Sequence, residues 1–212
     1  MKPTVIIADD HLLVLEGLKR VVESECTVIG TVSNGRELVA AADTLKPDII
    51  LLDVAMPLLN GIEAARQIKA KNPETKFVFV TMQLSREYIR EAFEAGASGY
   101  VLKHAAASEL GAAIRQANRG EFFVSPTATE RFLGHEAQSS TNPTLLFTAL
   151  TPRQREVLQL VAEGRSGKEI ASLLFISVKT VEFHKKRLME ELNLAGTAEL
   201  VRYAVEQGWV AT

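Results

Sequence analysis

The sequence contains a single cysteine, Cys26, among 212 residues. No intrachain disulfide can form, which fits a reducing, cytoplasmic setting, and Cys26 is expected to be a buried, inert thiol. No apolar run is long enough to cross a bilayer, so no membrane association is expected. The N-terminus passes from Met1, Lys2 and Pro3 straight into Val5-Ile6-Ile7-Ala8 and then Asp9-Asp10, which does not read as a signal peptide. There is no basic excess: the formal net charge is −2. A nucleic-acid partner would have to be held by local positive charge. The phosphate-cradling pattern G-x-x-x-x-G-K-[ST] is missing. Hydrophobic residues make up 47% of the chain and charged residues 24%, which excludes disorder throughout and allows one large domain or two small ones.

The first half alternates short β-branched runs with amphipathic stretches. Strands are predicted at Thr4–Ala8, Val28–Val32, Ile49–Asp53, Phe77–Thr81 and Gly99–Leu102, and helices at Leu12–Glu23, Arg36–Leu45, Gly61–Ala70, Glu87–Ala95 and Ser108–Arg119. Asn34 with Glu37 is a helix-start signal. Such alternation predicts a doubly wound parallel α/β sheet of five strands, with ligands beyond the strands' carboxyl ends. From Glu121 the composition turns to Ser, Thr, Pro, Asn and Ala, with a possible helix at Thr127–Leu133, and reads as a linker. From Leu150 on, the pattern is helical only. Thr151-Pro152-Arg153-Gln154 and Ser166-Gly167-Lys168-Glu169 are capping boxes, Ser177 caps a third helix, and a fourth spans Ala198–Glu206. The boundaries so drawn are 1–120, a linker over 121–147, and an all-α domain over 148–212.

Asp9 and Asp10 close the first predicted strand and Asp53 closes the third. If these strands are neighbours, three carboxylates converge at one rim and repel one another. A divalent cation relieves that, and oxygen ligands suit Mg²⁺. Thr81 closes the fourth strand and Lys103 follows the fifth. A carboxylate nucleophile, a metal, a hydroxyl and an ammonium around one point are the parts needed to place a phosphoryl group on Asp53. Taken singly, Asp10 could be a helix cap and Lys103 a surface lysine; their joint arrangement favours the site.

Asp9-Asp10, the run Leu52-Asp53-Val54-Ala55-Met56-Pro57 with Gly61, Thr81, and Gly99-Tyr100 before Lys103 together resemble the response-regulator receiver family, of flavodoxin-like fold. The resemblance implies that Asp53 accepts phosphate from a sensor histidine kinase. It implies that Asp10, Asp53 and the Ala55 carbonyl ligate Mg²⁺ with Asp9 assisting, and that Thr81 and Lys103 hold the phosphoryl oxygens. Many receivers have proline after the lysine; here His104 follows Lys103, which leaves the local turn open.

Lys168 to Arg187 reads as two helices around the turn Phe175-Ile176-Ser177, with Ile170, Ala171 and Leu174 on one apolar face and Val181 and Leu188 on the next. Basic residues on the second helix can neutralise DNA phosphates in a major groove, although Glu182, Glu190 and Glu191 dilute them. Leu150-Thr151-Pro152-Arg153-Gln154-Arg155-Glu156-Val157-Leu158, Lys168-Glu169-Ile170-Ala171 and Ser177-Val178-Lys179-Thr180-Val181-Glu182-Phe183-His184 resemble the LuxR-type helix-turn-helix domain. Together the two resemblances point to the NarL/FixJ class of two-component response regulators. They imply a recognition helix near Val178, with Lys179, Thr180, Glu182, Phe183, Lys185 and Lys186 as candidates to face double-stranded DNA. Lys185 and Lys186 are assigned to phosphates, and Glu182 and Phe183 to base edges. Phe175 stands where such turns often have glycine, and would be strained if φ is positive there.

The expected mechanism is a switch. Phosphate on Asp53 draws Thr81 toward it, Tyr100 turns inward into the vacated space, and the DNA-binding domain is released, the chain dimerises, or both. The family's usual contact between DNA-bound domains is the last helix, around Ala198–Ala204. An alternative keeps DNA binding but makes the receiver a phosphate-independent docking or sensing domain. An aspartyl-phosphate phosphatase is disfavoured, because such enzymes place an acid two residues after the nucleophile and that position is Ala55; no enzyme is expected.

Overall fold

The computed structural model describes residues 2–133 and 150–206. The chain divides into two compact units, 1–138 and 139–212. Most of the linker expected over 121–147, and the last residues of the domain expected over 148–212, lie outside the described residues.

The first unit is built on a parallel sheet of six strands: β1 (Thr4–Ala8), β2 (Thr27–Val32), β3 (Ile49–Leu52), β4 (Lys76–Thr81), β5 (Ala97–Leu102) and β6 (Phe123–Val124). Their order is β2-β1-β3-β4-β5-β6. Five helices follow the first five strands: α1 (Leu12–Val22), α2 (Gly35–Leu45), α3 (Gly61–Lys71), α4 (Arg86–Glu94) and α5 (Ala106–Asn118), with α6 (Pro126–Leu133) after β6. This is the doubly wound architecture that the alternation of strand and helix patterns predicts. Because side chains alternate across a strand, the sheet has two apolar faces and two cores. Ile6, Ile50, Phe77, Phe79 and Tyr100 pack on one side with α2, α3 and α4. Val5, Ile7, Ile49, Leu51, Val78 and Val80 pack on the other with α1 and α5.

The sheet runs one strand further than the sequence predicts. Phe123–Val124 pairs with Gly99–Tyr100, Ser125 N donates to Tyr100 O at 2.9 Å, and Ala128 of α6 is fully buried in the first core. The polar composition that reads as linker from Glu121 hides a segment that satisfies the otherwise open backbone groups of edge strand β5.

The second unit is helical: α7 (Pro152–Ala162), α8 (Gly167–Leu174), α9 (Val178–Glu191) and α10 (Thr197–Glu206). Both predicted capping boxes form, at Thr151 with Gln154 and at Ser166 with Glu169. Short helices of this kind are stable only when packed. Here Val157, Leu158, Leu160, Ile170, Val181, Leu188, Leu200 and Ala204 are all buried.

Candidate functional site

The polar pocket of the first unit lies where the strand order reverses. β1 has β2 on one side and β3 on the other, so the chain leaves their carboxyl ends in opposite directions and opens a crevice. Ala8 pairs with Leu52, and Asp53 N donates to Ala8 O at 3.0 Å. That register brings Asp9 and Asp53 side by side. Both are buried, at 0% and 5% exposure. Lys103, in the 3-10 turn that follows β5, brings Nζ to 2.7 Å from Asp53 Oδ2 and 2.7 Å from Asp9 Oδ2. Burial pulls the Lys103 ammonium's pKa down, but the hydrogen bond to Asp53 and the charges of Asp53 and Asp9 outweigh it and hold the group above an ordinary lysine. All described peptide bonds are trans, including the one into His104.

Asp9 Oδ2 has no well-directed hydrogen-bond donor despite the nearby ammonium, so a buried anionic oxygen is left incompletely satisfied. One ligand atom from each of Asp9, Asp10 and His11 lies within 4.8 Å of the others. The carboxylates of Asp9 and Asp10 are hard oxygen donors, one of them short of a partner, and they suit Mg²⁺, whereas His11 adds an imidazole nitrogen that Mg²⁺ does not favour. Nothing in the sequence singles out His11. Its Nδ1 sits 2.8 Å from Asp10 Oδ1 and 3.2 Å from Asp9 Oδ1, and its backbone N donates to Asp9 Oδ1 at 2.9 Å. The N-cap of α1 is His11, without a side-chain cap bond, so Asp10 is not the cap that the bland reading would make it.

Thr81 is fully buried, and its Oγ1 accepts from Gln83 N at 3.2 Å. Ala55 N approaches Asp53 Oδ1 at 3.4 Å. Gly61 opens α3 directly behind the aspartate: a Cβ there would stand 1.9 Å from Asp53 O. Tyr100 differs from the expectation of an outward side chain awaiting phosphate. It is already fully buried, and its hydroxyl donates to Gln83 O at 2.9 Å. Burial holds the phenol far above its usual pKa, so it remains a donor. The sequence also gave no sign that Ser125 is tied to this region. Leu102 N donates to Ser125 Oγ at 3.2 Å, and Ser125 Oγ bonds Glu109.

In the second unit, α8 and α9 form the helix-turn-helix. Phe175 at their junction has φ 54° and ψ 44° and is 94% exposed, so the strained left-handed turn anticipated there is present. Ser177 Oγ accepts from Thr180 N at 3.1 Å, and the two hydroxyls lie 2.8 Å apart, so Thr180 belongs to the cap of α9. Val181 and Leu188 turn into the core. Lys179, Glu182, Phe183 and Lys186 recur at helical spacing along the exposed side. Lys185 stands apart from that stripe: its side chain is 17% exposed and Nζ lies 3.2 Å and 3.3 Å from the two oxygens of Glu182. The Phe183 ring has Arg187 at 5.8 Å. His184 is partly buried; burial, with Arg153 nearby, keeps its pKa below that of a free histidine.

The chain matches two family models, "Response regulator receiver domain" over residues 5–115 and "Bacterial regulatory proteins, luxR family" over residues 148–204. It is 35% identical over 212 residues to the transcriptional regulatory protein MctR of Rhizobium johnstonii, covering 99% of this chain and 96% of that one. It is 37% identical over 210 residues to the oxygen regulatory protein NreC of Staphylococcus aureus, covering 96% and 97%. Among solved structures it resembles RcsB from Salmonella enterica serovar Typhimurium bound to promoter P1flhDC with the phosphomimetic BeF3-, at TM-score 0.65 and 28% identity over 96% of this chain and 98% of that one. A complex of RcsB with DNA gives TM-score 0.61 and 26% identity, covering both chains fully.

Proposed function

The chain belongs to the response regulators that join a receiver to a luxR-type DNA-binding domain and control transcription, and from that premise we propose that Asp53 is its phosphoacceptor. The observation that carries the proposal is the convergence of Asp9, Asp53 and Lys103, with 2.7 Å between the ammonium and each carboxylate. An Asp53 carboxylate oxygen attacks the phosphorus of a phosphohistidine on a sensor histidine kinase. The phosphorus–nitrogen bond breaks, and the pair returns to the imidazole. Asp9, Asp10 and Asp53, with the Ala55 carbonyl, would hold Mg²⁺, which supplies charge neutralisation of the transferring group. Lys103 then exchanges its bond to Asp53 for one to a phosphoryl oxygen, and the Thr81 hydroxyl gives up Gln83 N and donates to another.

The second unit binds double-stranded DNA through α9, with Lys179, Thr180, Glu182, Phe183, Lys185 and Lys186 as its contact set, and the active form is a homodimer. No helix among the described residues is long and apolar enough to cross a membrane. The reading places the protein in the cytoplasm, where DNA and the kinase's catalytic domain meet it. It includes no turnover of an external substrate, since Ala55 supplies no acid beside Asp53.

One observation favours a second reading in which the receiver acts without phosphate: Tyr100 already occupies its inward place. Intact mass after incubation with acetyl phosphate, with and without Mg²⁺, separates the two. One Mg²⁺-dependent phosphoryl addition to the wild type, absent in Asp53→Ala, is expected. No addition to folded protein, beside a working control receiver, would move the phosphate-independent reading to first place.

A further inference from the structure

Glu182 is the acidic residue in the exposed stripe of α9, where it has no obvious use in holding a polyanion. It is half-exposed, at 56%, on the same stripe as Lys179 and Lys186. Its carboxylate is nonetheless held in place. Both oxygens lie within 3.3 Å of Lys185 Nζ, and a Cβ on Gly167 would stand 3.2 Å from Oε1, so the group rests against the first residue of α8. Its carboxylate thus has a cation of its own helix and the start of α8 beside it, so its charge is balanced.

We infer that Glu182 is a specificity-determining residue that selects a cytosine in the major groove. The inference rests on the DNA-binding reading above and deepens it. A carboxylate only accepts hydrogen bonds. Phosphate oxygens repel it, so it adds nothing to sequence-independent affinity and weakens binding wherever no base donor meets it. On base edges it needs an amino group. Adenine offers one, but between its own N7 and the O4 of its thymine, both acceptors. The cytosine amino group has an acceptor on one side only and a C–H on the other, so the carboxylate meets less repulsion there. Lys185 lowers the cost of bringing the anion close to DNA, because the pair enters the groove nearly neutral. Phe183 beside it, 56% exposed, offers an apolar surface to a neighbouring thymine methyl.

The test is selection from a library of randomised duplexes by the full chain, treated with acetyl phosphate and Mg²⁺, compared with Glu182→Gln and Glu182→Ala. The wild type should enrich a motif with a C·G pair at one fixed position of each half-site. Glu182→Gln should shift that position alone toward A·T by roughly tenfold, because an amide both accepts and donates. Glu182→Ala should relax it with no new preference. The same motif from all three chains, or a wild-type motif lacking the pair, overturns the inference while leaving DNA binding intact. A wild-type chain that enriches nothing removes the DNA-binding reading itself, and this inference with it.

Discussion

Replacing Lys103 with Met keeps the aliphatic stem and removes only the ammonium that lies 2.7 Å from both Asp9 and Asp53. Each of those pairs is worth about 6 kcal/mol at an effective dielectric of 20, and less here because desolvation of the ions offsets much of it. What remains after the substitution is two adjacent buried carboxylates with no counter-charge. Breaking a buried pair in this way costs roughly 3–5 kcal/mol. For a unit of this size that is a fall in melting temperature of about 10 °C. The same loss frees two carboxylate oxygens for a cation, so Mg²⁺ should bind the variant more tightly and restore part of the stability. The assay is a thermal melt of each chain across a Mg²⁺ series. The variant should start lower and gain more from Mg²⁺ than the wild type does, while accepting no phosphoryl group from acetyl phosphate. Equal Mg²⁺ gains in the two chains would refute the idea that Lys103 and the metal compete for the same oxygens.

Gly61→Ala would drive a methyl group into Asp53 O and force that backbone to move, so we expect a loss on the order of 3 kcal/mol in a urea titration and slower phosphoryl addition in the mass assay. Phe175→Gly should act the other way: relief of the left-handed strain outweighs glycine's extra unfolded-state entropy, raising stability by roughly 0.5–1 kcal/mol in the same titration, since the exposed ring gives up no packing. Arg66 joins the buried carboxylates of Glu63 on α3 and Glu91 on α4, so Arg66→Met should lower stability by about 3 kcal/mol, and a smaller loss than 1 kcal/mol would show the pair to be dispensable. Burial, with Glu25 adding to it, pushes the Cys26 thiol up to about 11. Because the folded form holds its proton more tightly than the unfolded one, Cys26 contributes stability that is complete below about pH 8.5 and disappears as the pH rises toward 11. Cys26→Ala should flatten that part of the pH–stability curve, and native protein at pH 8 should resist iodoacetamide until denaturant is added.

Much of the fold was open to reading because period and punctuation agreed. The buried strands Ile49–Leu52 and Thr4–Ala8 are continuous apolar runs, as a sheet covered on both faces requires. Asn34, Thr151, Ser166 and Ser177 cap the helices that their spacing announces. β6 was not legible for a physical reason. A two-residue edge strand has no periodicity of its own, and what places it is the open edge of β5 and the two bonds of Ser125 with Tyr100 and Leu102. Nothing in Phe122-Phe123-Val124-Ser125 distinguishes such a segment from a loop that happens to be apolar.

The site divides in the same way. Strand-end position was enough to bring Asp9, Asp53 and Lys103 together at one rim, with Thr81 ending β4 opposite Leu102, because parallel neighbours in register bring their last residues together. Rotamers and partners were beyond it. Tyr100 points inward because its ring packs in the core on Phe79 and its hydroxyl meets the Gln83 carbonyl, which any residue would supply. Being basic and on the recognition helix, Lys185 reads as a phosphate contact from sequence alone. Yet it sits one position away from the stripe defined by Lys179, Glu182, Phe183 and Lys186, a rotation of about 100° per residue. That step takes it off the exposed stripe, and its ammonium meets the Glu182 carboxylate of the same helix. On the inference about Glu182, Lys185 serves the DNA-contact set by orienting that acid rather than by meeting a phosphate. It follows that salt dependence should distinguish the two lysines. Lys186→Ala should reduce the slope of log affinity against log salt by close to one phosphate contact, while Lys185→Ala should barely change the slope and instead blur the selected motif at the position of Glu182.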